Sequence, residues 1–199
     1  MSSIVEGDYC GYSRIMPRNL TLHRGSTCDA ATRIVTYAER RKPNELALRY
    51  VVHGAIGNLA LPAEAASARR DELWRHTCFE AFVSAPQSAA YAEFNFSPST
   101  EWAAYLFDGY RAGMRAALEM SAPAISMERN DQRFTLRAVV DLTPFAAIAG
   151  DALWRIGLSA VIEEASGRKS YWALAHGPGA PDFHHSDCFA LELAAPFQA

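Results

Sequence analysis

The sequence predicts an all-β protein: a single-domain antiparallel β-sandwich of jelly-roll or immunoglobulin-like type, with one or two short helices. Three observations lead to this prediction. Apolar and polar residues alternate along many short segments, which is the pattern of half-buried strands. Turn residues separate these segments, and no long amphipathic helix lies between them. The chain has 199 residues, of which 50% are hydrophobic, and this is enough for one sizeable core.

Most of the predicted strands form pairs across turns. Residues 1–18 are expected to be an irregular lead-in, and the domain is expected to span 19–199. The predicted strands cover 19–24, 32–40, 45–53, 78–83, 91–97, 101–107, 125–129, 134–142, 153–164 and 171–174, with shorter ones at 59–61 and 189–193. Residues 63–70 and 109–120 are predicted to be helical turns or irregular connections. Thr143-Pro144 predicts a short helix ending by Gly150, because a hydroxyl cap precedes a proline at the first helical position.

Two neighbouring predicted strands, 78–83 and 91–97, carry the densest mixture of aromatic and polar residues. Alternate residues of a strand face opposite sides of its sheet. If the apolar faces of both strands point into one core, then Glu80, Glu93 and Asn95 share the outer face. Tyr91 lies on the same face. The pattern therefore predicts two carboxyls and an amide on one pleated surface.

These residues resemble those of the family 9 carbohydrate-binding modules, a group of DOMON-like sandwiches that includes small stand-alone bacterial proteins. The resemblance rests on Leu73-Trp74 before Glu80, on 91–96, on Trp102 and Tyr105, and on the ending at 183–193. It implies that Trp74 is a stacking ring and Glu80 a hydroxyl acceptor. It also implies a second ring from late in the chain, for which Trp172 is the candidate. This chain departs from the sugar-binding members at Glu93, where they carry a basic residue.

Saccharide recognition needs aromatic faces for the C–H groups of the sugar and polar groups for its paired hydroxyls. The candidate ligand-binding residues are Trp74, Glu80, Tyr91, Glu93, Asn95, Trp102, Tyr105, Arg111 and Trp172. Trp74 and Trp172 would stack on the ligand, while Glu80, Glu93 and Asn95 would bond its hydroxyls. The alternative is that the tryptophans belong to the core and that the carboxylates are solvated or paired with arginines.

Composition excludes other classes of partner. Nineteen basic and 22 acidic residues give a net charge of −3 without a block of like charge, so nucleic acid is not an expected partner. No uninterrupted apolar run reaches the ~18 residues of a membrane-spanning helix. The first residues, which include Glu6 and Asp8, have no apolar core typical of a signal peptide. The four cysteines form no CxxC, and a cytoplasmic protein with free thiols is expected.

Two alternatives involve a metal or cofactor, although none is expected. His76 with Cys78, and His184 and His185 with Cys188, could supply zinc ligands, but these spacings match no strong zinc motif. Some DOMON-like domains hold haem between methionine and histidine. No spacing selects a pair among the available residues, which are Met114, Met120, Met127, His53, His76 and His176.

Two further alternatives remain for the outer face. Glu80 and Glu93 could act as the acid and base of a glycosidase, which uses two carboxylates. The domain could also be a structural or protein-interaction module. The preferred prediction is non-catalytic binding of a small polar ligand, with a saccharide as the expected class.

Overall fold

The computed structural model describes residues 16–145, 148 and 153–196 of the chain. Within them strands are the main regular structure and helix is limited to single turns, so the predicted all-β sandwich is confirmed. The strands are β1 (Arg18–Leu22), β2 (Ala31–Lys42), β3 (Glu45–Gly54), β4 (Cys78–Ser84), β5 (Tyr91–Phe96), β6 (Trp102–Phe107), β7 (Arg115–Ala116), β8 (Ala124–Asn130), β9 (Arg133–Asp141), β10 (Trp154–Glu163), β11 (Lys169–Ala173) and β12 (Leu191–Leu193). Three single-turn 3₁₀ helices cover Ile56–Asn58, Leu73–Arg75 and Ser186–Cys188.

All strand pairs are antiparallel, and the strands form two facing layers joined through β1. The order is β7-β6-β5-β4-β10-β11-β1-β2-β3-β9-β8, with β12 beside β10. We call β4 to β7 with β10 to β12 the front sheet, and β2, β3, β8 and β9 the back sheet. Strand β1 pairs with β11 on one side and with β2 on the other, so it passes from the front sheet to the back sheet.

The main core lies between the two sheets. Phe79 of β4 packs against Tyr50 of β3 and Phe134 of β9, with ring centroids 5.1 and 5.8 Å apart. The Tyr50 hydroxyl also donates to the backbone carbonyl of Glu80 at 2.7 Å, which ties the sheets together. The predicted alternation holds in β3, whose Leu46, Leu48, Tyr50 and Val52 are all buried. Burial of these alternating apolar faces is the main driving force for the sandwich.

Residues 63–70 form an irregular connection, which is one of the two predicted forms, and Arg69 near their end bridges Trp102. Other connections differ from the sequence predictions in two places. The predicted strand at 59–61 is reduced to one isolated bridge at Leu59. The region 109–120 contains the short strand β7.

The predicted helix after Thr143 begins as a turn, in which Thr143 donates from its N–H and hydroxyl to the Asp141 carboxylate at 2.9 and 2.6 Å. Most of the remainder of this helix lies outside the described residues, as does nearly all of the predicted lead-in. Among the described residues, no helix has the length and apolarity needed to cross a bilayer. The described cysteines, Cys28, Cys78 and Cys188, are free thiols.

A second apolar cluster covers the outer face of the front sheet. Phe82 and Tyr91 of the sheet contact Phe189 at ring centroid distances of 6.0 and 5.6 Å, and Phe183 belongs to the same cluster. These two phenylalanines come from the connection between β11 and β12, which crosses the sheet. The central strands β4 and β5 of the front sheet are therefore buried on both faces, although an antiparallel sheet commonly leaves one face in water.

Candidate functional site

The covering segments leave a pocket of about 450 Å³ on the outer face of the front sheet, which we call the outer-face pocket. This volume is within the ordinary range for small-molecule sites. Its charged and polar lining comes from Arg75, Glu80, Glu93, Arg111, Lys169 and His184. Its aromatic lining comes from Trp74, Phe107, Tyr171 and Phe183. The pocket thus combines several rings with a few polar groups, as small-molecule sites usually do.

The floor of the pocket is formed by two carboxyls on adjacent strands. Glu80 of β4 lies opposite Ser159 of β10 and Asn95 of β5, and Glu93 is two residues before Asn95. Because side chains alternate, Glu80, Glu93, Asn95 and Ser159 all face outward. Glu80 is 3% and Glu93 5% exposed, so both carboxyls are buried although both line the pocket.

Few hydrogen bonds reach these two carboxyls. The Glu80 Oε2 accepts one from the Ser159 hydroxyl at 3.3 Å. The Glu93 Oε1 accepts one from the Asn95 amide at 2.6 Å. Asn95 is fully buried, and its Oδ1 accepts from the Cys78 thiol at 3.6 Å. Asn95 therefore lies beneath the pocket and orients Glu93, and does not itself line the pocket.

Burial and proximity alter the acidity of both carboxyls. Burial raises the pKa of Glu80 well above its usual value, and the Glu93 charge raises it further, although Ser159 and Arg111 act in the opposite direction. Burial also raises the pKa of Glu93, against the effects of the Asn95 hydrogen bond and of Arg111. The pair consequently keeps a proton to a higher pH than ordinary carboxyls do.

Arg111 is held at the mouth of the pocket by contacts at both ends. Its backbone has a φ of +51°, in the left-handed region, and its N–H donates to the Tyr91 hydroxyl at 3.2 Å. Its guanidinium donates to the Asp182 carboxylate at 2.8 Å, to which the Tyr110 hydroxyl also donates. Burial raises the pKa of Asp182, but these two hydrogen bonds outweigh it and the net shift is downward. Asp182 is therefore an anion that fixes the Arg111 cation.

His184 connects this support to the floor. Its Nδ1 lies 2.7 Å from the Tyr91 hydroxyl, and its Nε2 lies 3.8 Å from the Glu93 Oε2. Because that hydroxyl already accepts from the Arg111 N–H, its own proton is available to donate to Nδ1. The imidazole proton then resides on Nε2, facing Glu93. Burial, aided by Arg111, lowers the pKa of His184 to about 4, so the ring is neutral at neutral pH.

Trp74 provides the most accessible aromatic wall. It lies in the 3₁₀ turn Leu73–Arg75, which follows Glu72 at a φ of +63°. Its side chain is 45% exposed, and the Arg75 guanidinium lies 5.5 Å from the ring centroid. Arg75 in turn forms an ion pair with Glu72 at 2.7 Å. An exposed indole on a surface lined by buried carboxyls is a ring that a ligand can cover.

The structure brings together only part of the predicted set. Trp74, Glu80, Glu93 and Arg111 line the outer-face pocket. Three others lie on the same face of the sheet as support: Tyr91 and Asn95 act through the contacts described above, and Tyr105 donates to Asp71 at 2.6 Å.

Two predicted residues, Trp102 and Trp172, lie in the main core and do not reach the pocket. The Arg69 guanidinium packs 4.5 Å from the Trp102 ring centroid. Trp172 is 5% exposed, and its indole N–H donates to the Ser170 hydroxyl at 3.0 Å. Trp172 therefore points into the core, and the side chain that faces outward from β11 into the pocket is Tyr171.

Sequence reasoning missed several lining residues. The strand pattern could have predicted that Tyr171 faces outward, since it alternates with Trp172 and one of the two must do so. The same alternation places Lys169 on the face of Tyr171. No such pattern predicts the positions of Phe183 and His184, because they belong to an irregular segment whose path over the sheet is not periodic. His184 was considered only as a zinc ligand.

The metal and haem alternatives find no support in the described parts of the chain. No group of three or more His, Cys, Asp or Glu residues there is placed to hold a metal ion. His76 is exposed and bonded to Glu163 at 2.7 Å, whereas Cys78 is buried. Met114 lines the outer-face pocket, but none of the histidines considered for haem does so.

No protein-family model matches the sequence, and no curated protein matches it significantly. Solved structures do match in fold. A Bacteroides uniformis protein, itself only proposed to bind carbohydrate, aligns with a TM-score of 0.63 and 15% identity over 87% of this chain and 84% of that one. A family 9 carbohydrate-binding module from Caldicellulosiruptor kristjanssonii aligns in its glucose complex with a TM-score of 0.55 and 9% identity, over 100% and 94%. Its cellotriose complex aligns with a TM-score of 0.51 and 10% identity, over 90% and 83%. The chain therefore has a fold like that of the family 9 modules.

Proposed function

We propose that this protein binds a small saccharide, without catalysis, in the outer-face pocket. The observation that carries the proposal is the convergence of the exposed Trp74 ring with the buried carboxyls of Glu80 and Glu93 in one cavity. An aromatic surface beside carboxyls that accept few hydrogen bonds suits a ligand with an apolar ring face and polar edges. Sugars have this character.

The polar groups of the pocket match the mixed demands of sugar hydroxyls, each of which donates one proton and accepts others. A carboxyl pair that keeps a proton offers one O–H donor and several acceptors. The neutral imidazole of His184 offers its Nε2 proton, and Arg111 offers the guanidinium donors that Asp182 does not use. Trp74 would cover the apolar ring face, with Tyr171 as a second aromatic wall.

The structural comparisons support the same ligand class. The module from Caldicellulosiruptor kristjanssonii was solved with glucose and with cellotriose, and its fold is like that of this chain. The low identities do not transfer a residue-level site, so the proposal for this chain depends on its own pocket. Since a cytoplasmic location is also predicted, we propose a monosaccharide or disaccharide metabolite as the ligand in preference to a polysaccharide.

Binding is favoured over hydrolysis by the placement of the carboxyls. Glu80 and Glu93 rise from the same face of one sheet, so both approach a ligand from the same side. The two carboxyls of a glycosidase flank the bond that they cleave. Two carboxyls on one side of a ligand are better suited to binding its hydroxyls than to flanking a bond.

Calorimetric titration with a panel of monosaccharides and disaccharides tests the proposal. At least one sugar should bind saturably, and Trp74→Ala should weaken its binding by about tenfold or more, as expected for loss of a stacked ring. Tyr37→Ala is the matched control, because Tyr37 stacks on Arg49 on the back sheet, far from the pocket. If no sugar of the panel binds, or if the two variants lose affinity equally, the proposed site is wrong.

A further inference from the structure

The hydrogen-bonding capacity at the pocket floor is unbalanced. Glu80 is more than nine-tenths buried, lines the pocket and accepts one long hydrogen bond, from Ser159. Glu93 accepts one from Asn95, while its second oxygen is 3.8 Å from His184, beyond hydrogen-bond distance. Two carboxyls together have about eight lone-pair sites, so most acceptor sites at the floor receive no donor from the residues that the structure describes.

The two arginines that line the pocket form ion pairs with carboxylates other than Glu80 and Glu93. Arg111 donates to Asp182, and Arg75 pairs with Glu72. Lys169 also lines the pocket, and within the described residues it forms no ion pair with a carboxylate. No lysine or arginine in that part of the chain forms an ion pair with Glu80 or Glu93. The floor is thus an acidic surface with acceptors and without a bonded cation.

We propose, on the basis of the saccharide-binding function above, that the preferred ligand is an amino sugar whose ammonium group lies between Glu80 and Glu93 while its ring covers Trp74. An ammonium offers three donors in a compact group, which suits two convergent carboxylates. Its charge replaces the proton that the pair otherwise keeps. The resulting charge-assisted hydrogen bonds are stronger than those made by a hydroxyl at the same position.

An ammonium group between Glu80 and Glu93 favours their ionised forms and opposes the rise in their pKa values that burial causes, so binding is expected to release a proton from the floor. Cys78, Tyr91 and Tyr105 are titratable groups that lie near the pair on the same face of the sheet. The other charged or titratable groups that line the pocket are Arg75, Arg111, Lys169, Tyr171 and His184. At neutral pH the His184 ring is neutral, and burial raises the pKa values of the Cys78 thiol and of the Tyr91 and Tyr105 phenols. The released proton therefore comes from Glu80 and Glu93.

The experiment compares sugars that differ only at one substituent. Glucose, glucosamine and N-acetylglucosamine, with the same three forms of galactose and mannose, are titrated calorimetrically into the purified chain at pH 7. In at least one series the amino sugar should bind about 10- to 100-fold more tightly than its parent. The N-acetyl form, whose nitrogen is neutral, should bind no more tightly than the parent sugar. Titration in two buffers of different ionisation enthalpy should reveal proton release with the amino sugar alone.

Variants locate the effect. Glu80→Gln and Glu93→Gln should each bring the affinity ratio of amino sugar to parent sugar close to one, whereas Glu39→Gln, on the back sheet, should leave it unchanged. Thermal melting identifies any variant that does not fold. If one of the two carboxyl variants fails to fold, the affinity ratio of the other tests the inference. Equal affinity for amino and parent sugars would overturn this inference and leave saccharide binding intact. Absence of binding by every sugar tested would overturn both.

Discussion

Replacing Glu80 by glutamine should stabilise the protein at alkaline pH and leave its stability almost unchanged at acid pH. The folded pKa of Glu80 is raised above its unfolded value, because the side chain is buried and lies near Glu93. Below the unfolded pKa both states are protonated, so the carboxyl contributes no penalty. As pH rises from the unfolded toward the folded pKa, the unfolded state ionises first and the native state loses stability. Glutamine has nearly the same shape as glutamate but does not ionise, so the variant does not lose stability in this way.

The size of the effect follows from the environment of the group. A buried charged carboxyl that receives a single long hydrogen bond costs roughly 1–3 kcal/mol relative to a neutral amide. For a domain of this length that difference corresponds to about 2–12 °C in Tm. The assay is thermal unfolding of both proteins from pH 4 to pH 9. His184 also titrates in this range, with a lowered pKa, but it does so in both proteins and largely cancels in their difference. A difference that stays constant with pH, or that falls as pH rises, would refute the reasoning.

Three further predictions concern neighbouring parts of the fold. Glu164→Gln should destabilise the protein by about 2–4 kcal/mol in urea unfolding at pH 7, because the Glu164 carboxylate accepts two backbone N–H groups at 2.8 Å and the Arg168 guanidinium. Those contacts lower the pKa of Glu164 to about 2, so its contribution should be present above the unfolded pKa and fade as pH falls toward 2. Trp172→Ala should lower the free energy of unfolding by about 3–5 kcal/mol, because Trp172 lies in the main core, and it should leave the ligand affinity of the folded protein unchanged. Trp74→Ala should instead weaken ligand binding and affect stability little. Tyr91→Phe should keep the fold and weaken ligand binding several-fold, because it removes the hydroxyl that orients His184. NMR titration of the histidines should then show that the pKa of His184 has moved from about 4.

The parts of the site that could be predicted from the sequence are those set by local alternation. The outward direction of Glu80, Glu93 and Asn95 follows from the backbone of β4 and β5, where the neighbouring phenylalanines fix the phase. In β11 the adjacent Tyr171 and Trp172 are both aromatic, so the pattern itself leaves the phase open. It is fixed by pairing with β10, where Trp172 lies opposite core-facing Ala160.

Tertiary packing over the sheet could not be predicted in this way. The covering segment places Phe183 and Phe189 against the outer face, and its residues have no periodic relation to the strands that they cover. The polar residues of β4 and β5 had therefore been expected on a solvent-exposed surface. The structure buries them and leaves access through one pocket, so their acidity and their hydrogen bonding depend on contacts that are distant in sequence.

This burial is itself an argument for function. Every residue of β4 and every residue of β5 is buried, which is typical of strands that are apolar on both faces. Apolar residues at Glu80 and Glu93 would satisfy the packing of such a sheet without desolvating two carboxyls. The stability gain expected for Glu80→Gln measures that cost directly. A fold that keeps two poorly hydrogen-bonded acids beneath an exposed indole sacrifices stability at one place, and a ligand that supplies the missing donors there would recover it.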